Sequence, residues 1–171
     1  LTALEVLKKK GWKITSDAVM SGMSGVQFSG RFEILNFSPL IVIDGGHNIE
    51  GITSFVENFK KYFPGKKANL FFGMLRDKQV DASLALLTQI AKRIYTLTPE
   101  DPRAVAAEEM TDYVKTHYKN IGSIPLARMD DIGQYVDFSA AQEIYAFTGS
   151  LYMIGHARTE LNRLISQNAS E

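Results

Sequence analysis

The chain contains no cysteine. That excludes a disulfide framework, a thiolate metal site and a cysteine nucleophile, and it is compatible with a reducing compartment. It also lacks an excess of either charge: Lys+Arg and Asp+Glu both number 19, for a formal net charge of zero. A broad nucleic-acid-binding face needs a basic surplus to neutralise phosphates, so none is expected, although a small local anion site stays open. No apolar run approaches the roughly 18 residues that span a bilayer. The opening Leu-Thr-Ala-Leu-Glu lacks the basic-then-apolar pattern of a secretory signal. No membrane partner is expected, and the expected location is cytoplasmic. There is no initiator Met, which leads us to expect a piece of a longer protein. Neither GxxxxGK[ST] nor GxGxxG occurs. The three histidines, His47, His117 and His156, are far apart in sequence, so no metal site is expected.

The 171 residues are 45% hydrophobic and 22% charged, which suits one soluble domain with a short appendage. Leu4 and Leu7, with Leu1, stripe a short helix ending at Gly11. Ser16 is expected to cap a second, carrying Ala18, Val19 and Met23. Ser21–Gly30 is rich in Ser and Gly and reads as a linker. Residues 1–30 are therefore assigned to an appendage and 31–171 to the domain proper.

From Arg31 onward strand and helix patterns alternate. Phe32, Ile34 and Phe37 interleave with polar residues, as in a strand with one wet face. Leu40–Ile43 is continuously apolar, as in a strand buried on both faces, and Leu70–Phe72, Ile94–Leu97 and Ile144–Phe147 read as further strands. Ile124-Pro125-Leu126 is a short strand placed at an edge, because Pro cannot donate to a ladder. Between them, Ile49 to Phe59, Val80 to Ala91, Ala106 to Val114, Ile132 to Val136 and Leu151 to Ile165 carry helical spacing. Repeated βα units imply a Rossmann-like three-layer α/β domain: about six mostly parallel strands, with helices on both faces. Ligands of such sheets bind beyond the carboxyl ends of the strands.

Three segments occupy those ends. Asp44-Gly45-Gly46-His47-Asn48 joins a buried strand to a helix whose free N–H groups suit an anion. Asp44 can accept from a ribose diol, and His47 can donate to a phosphate or move a proton. Equally, Asp44 and Asn48 can simply cap the helix. Thr148-Gly149-Ser150 offers hydroxyls for a carboxylate or phosphate, or Ser150 is an N-cap. In Gly73-Met74-Leu75-Arg76-Asp77-Lys78, Asp77 is expected to cap the next helix. Arg31 is either a solvated charge or an anion clamp. His117 and His156 fall in helices and read as surface or packing residues.

Together, Gly30-Arg31-Phe32-Glu33, Asp44–Asn48, Gly73–Lys78, Asp101-Pro102-Arg103-Ala104 and Thr148–Tyr152 resemble, in order, the C-terminal domain of the folylpolyglutamate synthase/dihydrofolate synthase family of Mur ligases. The resemblance covers nearly the whole chain. It implies a domain of an ATP-dependent ligase that joins L-glutamate to dihydropteroate or a folate through an acyl phosphate. Arg31 and Asp44 are implied to bind ATP, His47 to be catalytic and to contact glutamate, and Ser150 to bind glutamate. The phosphate loop and the ligands for Mg2+ are implied to belong to the protein's own central domain, whose tail residues 1–30 resemble. Without that loop the chain is expected to catalyse nothing alone, and a monomer is expected. One departure is Gly45-Gly46, where the family usually has Gly-Ala; a second glycine is expected to loosen the turn.

Two other readings remain open from the sequence. One is another Mur-type ligase with a different acceptor. The other is a non-catalytic doubly wound module, such as a phospho-accepting receiver, with Asp44 at a strand end.

Overall fold

The structure, a computed structural model, describes residues 2–26 and 28–168. Leu1, and Gln27 within the expected linker, lie outside the described residues. The elements in order are α1 (Thr2–Lys9), α2 (Ser16–Ser24), β1 (Glu33–Phe37), β2 (Leu40–Asp44), α3 (Ile49–Tyr62), β3 (Ala68–Phe72), α4 (Val80–Leu87), β4 (Ala91–Thr96), α5 (Ala107–His117) and β5 (Gly122–Pro125). A 3-10 turn (Met129–Gln134), β6 (Ile144–Thr148) and α6 (Leu151–Asn168) complete the chain.

The six strands form one sheet in the order β1-β2-β6-β3-β4-β5. β1 pairs antiparallel with β2, and every other pairing is parallel. Pro125 therefore lies on an edge strand, where its missing N–H costs no interior ladder bond. Successive strand residues alternate between two cores. Val42, Leu70, Phe72, Ile94 and Ala146 pack with α3, α4 and α5. Ile41, Ile43, Phe71, Tyr95, Tyr145 and Phe147 pack with α6 and the 3-10 turn. This is the three-layer arrangement expected from the alternating pattern.

On the second face an aromatic stack crosses three strands. Phe147 and Phe71 lie 4.2 Å apart at centroid, and Phe71 and Tyr95 4.6 Å apart, both pairs stacked with nearly parallel rings. They are in register across β6, β3 and β4, so the pairing itself sets the stack. On the first face α3 buries Ile52, Phe55, Val56 and Phe59. Asn48 caps that helix by accepting from Gly51 N at 2.9 Å, and Glu50 and Lys60–Lys61 suit the two ends of its dipole.

Several local expectations are corrected. Thr15, not Ser16, caps α2, accepting from Ala18 N. α2 runs to Ser24, well into the stretch read as a linker. Ala91 opens β4 rather than ending α4. Ile132 lies in a short 3-10 segment that stops at Gln134, so Tyr135 and Val136 follow it and no α-helix forms there. Asp77 does not cap α4: Gln79 holds the cap position without a side-chain bond. In β1 the faces are reversed. Ile34 and Phe37 are exposed, Leu35 packs on the core, and Phe32 precedes the strand with φ 43°. Its ring reaches Phe55, Tyr62 and Phe63 from that left-handed position.

At the carboxyl end of β6 the chain approaches β3 very closely. Gly149 has φ 118°, and a Cβ there would overlap the carbonyl oxygen of Gly73 and come within 2.8 Å of the Phe72 ring. Both the dihedral and the space demand glycine. Gly149→Ala is expected to cost roughly 2–4 kcal/mol in urea unfolding. A loss below about 1 kcal/mol would mean that the crossing relaxes at little cost.

Candidate functional site

The site forms where β2, β6, β3 and β4 end side by side. Asp44 pairs in register with Thr148, and Thr148 with Phe72. The loops that follow these strands converge on one cavity of about 230 Å³, lined by His47, Leu75, Lys78, Arg103, Gly149, Ser150, Leu151 and Tyr152. His47 is half-buried, and its Nδ1 lies 3.2 Å from Gly45 O. A carbonyl can only accept, so this contact calls for a proton on Nδ1; in the neutral ring that tautomer has Nε2 as the acceptor. Ser150 is buried, and its carbonyl accepts from Ile154 N in the first turn of α6. Its hydroxyl makes no hydrogen bond among the described residues. Thr148 Oγ1, fully buried at the end of the central strand, likewise has no partner among them.

The cationic wall of the cavity comes from two loops zipped together. Leu75 and Ala104 form an antiparallel bridge, Arg76 N donates to Arg103 O at 2.7 Å, and Val105 N donates to Met74 O at 3.0 Å. Arg103 forks onto Asp101, with both contacts at 3.0 Å, and lies 3.7 Å from Asp77. Lys78 lies 3.4 Å from Asp77. Two cations thus face the cavity, each partly compensated.

Beside the cavity, Asp44 is a strut rather than a free carboxylate. It is 8% exposed; Oδ1 accepts from Gly46 N at 2.7 Å, and Oδ2 from Phe32 N at 2.8 Å. Burial pushes its pKa up, more than the two N–H bonds and the charge of Arg31 pull it down. The Gly45–Gly46 turn is tight, not loosened. A Cβ on Gly46 would stand 2.9 Å from the carbonyl carbon of Gly51, so the second glycine fits a close approach of loop to helix.

The model of the Mur ligase glutamate ligase domain matches residues 30–151. The chain belongs to this family. Among curated proteins it is 30% identical over 149 residues to the dihydrofolate synthase/folylpolyglutamate synthase of Bacillus subtilis (strain 168), covering 86% of this chain and 34% of that protein. It is 27% identical over 113 residues to the protein of that name from Escherichia coli (strain K12), covering 66% and 27%. Among solved structures, folylpolyglutamate synthase from Thermotoga maritima is 29% identical with a TM-score of 0.71, covering 92% of this chain and 36% of that one. The bifunctional enzyme from Yersinia pestis, complexed with AMPPNP and a manganese ion, shares the fold at 22% identity and a TM-score of 0.77, covering 94% and 38%. The chain spans about a third of the length of these relatives.

Within this Mur ligase domain, the expected site residues separate into two places. His47 and Ser150 meet at the cavity. Asp44 and Arg31 stand beside it: Arg31 is exposed, and the N–H of its neighbour Phe32 is held by Asp44. His117 and His156 lie elsewhere, His117 against Tyr113 and His156 against Asp130. Lys78 and Arg103 line the cavity although no site role was expected of them. Both follow the carboxyl ends of strands, β3 and β4, and that position was the available signal. Among the described residues no group of three or more His, Asp or Glu side chains could hold a metal.

Glu33 anchors the same corner. It accepts from Gly30 N at 2.6 Å and from the fork of Arg158 at 2.9–3.2 Å. Burial works against its charge, yet the bonds from Arg158 and Gly30 outweigh it and hold the pKa below its ordinary 4.5. A carboxylate lowered in this way adds stability above its unfolded pKa and loses it as pH falls. Asp44, raised, has the opposite sign: its contribution is full below the ordinary aspartate range and falls as pH rises through the folded value. Urea unfolding of Glu33→Gln should therefore show a deficit of about 1 kcal/mol near pH 7 that closes as pH drops below the glutamate range. A deficit constant with pH would remove the ion pair as its cause. Asp44→Ala leaves two N–H groups without their acceptor and is expected to cost about 1–3 kcal/mol. A change within about 0.5 kcal/mol would show that they find other partners.

Proposed function

We propose that this domain serves an ATP-dependent ligase that joins the amine of L-glutamate to the carboxylate of dihydropteroate or a folate. The observation that carries the reading is the meeting of His47, Ser150, Lys78 and Arg103 at one strand-end cavity, inside a matched glutamate ligase domain. Relatives complexed with nucleotide or its analogues support ATP as co-substrate. In the proposed reaction the terminal phosphoryl group passes from ATP to a carboxylate oxygen, leaving ADP and an acyl phosphate. The glutamate amine then forms the C–N bond, phosphate departs with the C–O bond, and the amine loses a proton.

The residues suit parts of that chemistry. The exposed guanidinium of Arg31 suits phosphate charge. Lys78 and Arg103 offer cations, and Ser150 a hydroxyl, to the carboxylates of glutamate. His47, in the neutral tautomer that donates from Nδ1, can receive the proton of the attacking amine on Nε2. Asp44 can accept from the nucleotide ribose only while still holding Gly46 and Phe32, so its proposed role in ATP binding includes shaping the loop. The match to the glutamate ligase domain over residues 30–151 favours the ligase reading over a receiver. The magnesium ligands and the phosphate loop are proposed to lie outside this chain. Residues 1–30 are proposed as the tail of the preceding domain. α1 and α2 bury no residue, and Trp12, Met20, Met23 and Phe28 are exposed. No helix of the described residues is long and apolar enough to cross a membrane; a cytoplasmic monomer is proposed.

Phosphate release from ATP by the full-length protein tests the reading. It should require dihydropteroate or a folate together with glutamate. Arg31→Ala should raise the KM for ATP by about ten- to a hundredfold. His47→Ala should depress kcat or glutamate use by a similar factor. Release with a different carboxylate–amine pair would keep the ligase and replace its substrates. Normal kinetics in both variants would take these residues out of the site.

A further inference from the structure

We propose that Glu33 and Arg158 form a positioning latch that aims Arg31, and that they act on the nucleotide through that residue without touching it. The proposal rests on the phosphate-binding role given above to Arg31.

The side chain of Arg31 makes no hydrogen bond or ion pair among the described residues. The direction of such an arm is set by its backbone. That backbone is held on both sides. Before it, Gly30 has φ 72°, donates its N–H to Glu33 at 2.6 Å, and accepts Gly45 N at 2.7 Å. After it, Phe32 has φ 43° and donates to Asp44 at 2.8 Å. Gly30 takes its positive φ without steric cost, but for Phe32 the left-handed conformation is unfavourable. The surrounding bonds must supply what the local preferences do not.

Glu33 is the member of that set which reaches outward. Nε and Nη2 of Arg158 grip its carboxylate from α6. That helix opens immediately after Ser150, and the Gly30 turn lies against it at Ile154. The latch therefore fixes the turn carrying Arg31 relative to the helix carrying the cavity wall. Partly exposed ion pairs contribute little to global stability. The pair is 40% and 20% exposed at Arg158 and Glu33, so its consequence should be local, in the aim of Arg31.

The test uses the full-length protein with four variants: Glu33→Gln, Arg158→Lys, Arg31→Ala and the double Arg31→Ala/Glu33→Gln. ATP and glutamate KM and kcat are read from phosphate release. The Kd of a non-hydrolysable ATP analogue is read by calorimetry. Glu33→Gln and Arg158→Lys should each raise the ATP KM and the analogue Kd about fivefold, with glutamate KM unchanged. Adding Glu33→Gln to Arg31→Ala should then cost nothing more. A purely structural pair would instead lower kcat with the active fraction and leave ATP KM alone. Weakened nucleotide binding in Arg31→Ala, with normal binding in the latch variants, would overturn the latch and keep Arg31. Multiplying losses in the double variant would do the same. Unchanged binding in Arg31→Ala would overturn both. Should Glu33→Gln fail to fold, Arg158→Lys carries the comparison, since it keeps the charge and the Glu33–Gly30 bond.

Discussion

The site depends on the insertion of β6 between β2 and β3. The β2–α3–β3 crossover sets its two strands two places apart, unpaired with each other. β6, arriving last in sequence, fills the gap and satisfies both ladders. Its carboxyl end then has no freedom: Asp44 lies on one side and Phe72 on the other. The chain must leave through Gly149 against Gly73 before α6 can start. Ser150 is delivered by this geometry to the cavity that His47 also lines, far from it in sequence. Two lining residues far apart in sequence are thus brought to one cavity by the sheet.

The second constraint is electrostatic and acts at a smaller scale. A buried carboxylate is costly unless donors meet it, and burial does push Asp44 upward. Here the donors are backbone N–H groups from the two segments that need holding, Phe32 and Gly46. These bonds offset only part of the burial, and through them one side chain fixes a left-handed residue and a tight loop together. Glu33 repeats the arrangement one step further out, with Gly30 and Arg158 as its donors. The two acids differ in the sign of their pKa shift because the second has a guanidinium in contact and less burial.

The layers of the fold were legible in the sequence because Leu40–Ile43, Leu70–Phe72 and Ile144–Phe147 have no wet face. Such runs admit few arrangements other than central parallel strands. Pro125 marked its own edge position. The misses lie where a local pattern competes with a tertiary demand. Phe32 reads as a strand residue by alternation, yet Asp44 and the aromatic cluster pull it out of the strand. Ile132, Tyr135 and Val136 have helical spacing, but only a short 3-10 segment forms before the chain leaves for β6. In the site, His47 and Ser150 were visible because each follows a strand with glycine beside it. Lys78 lies several residues beyond its strand, and Arg103 beyond two prolines. Only the bridge between Leu75 and Ala104 brings them back.

That bridge also bears on how the cavity would treat a ligand. Arg103 is already engaged by Asp101, and Lys78 stands close to Asp77. An arriving carboxylate would compete with these internal partners instead of meeting bare cations. Its gain would be the difference between two similar contacts, which is small while the cavity is open to water. The same contacts strengthen once a second surface excludes that water. A cavity whose wall cations already have internal partners is therefore a weak anion site while it stays open to water. Its selectivity for an anion would develop on closure, so binding by this domain alone should be weak even where its geometry is correct.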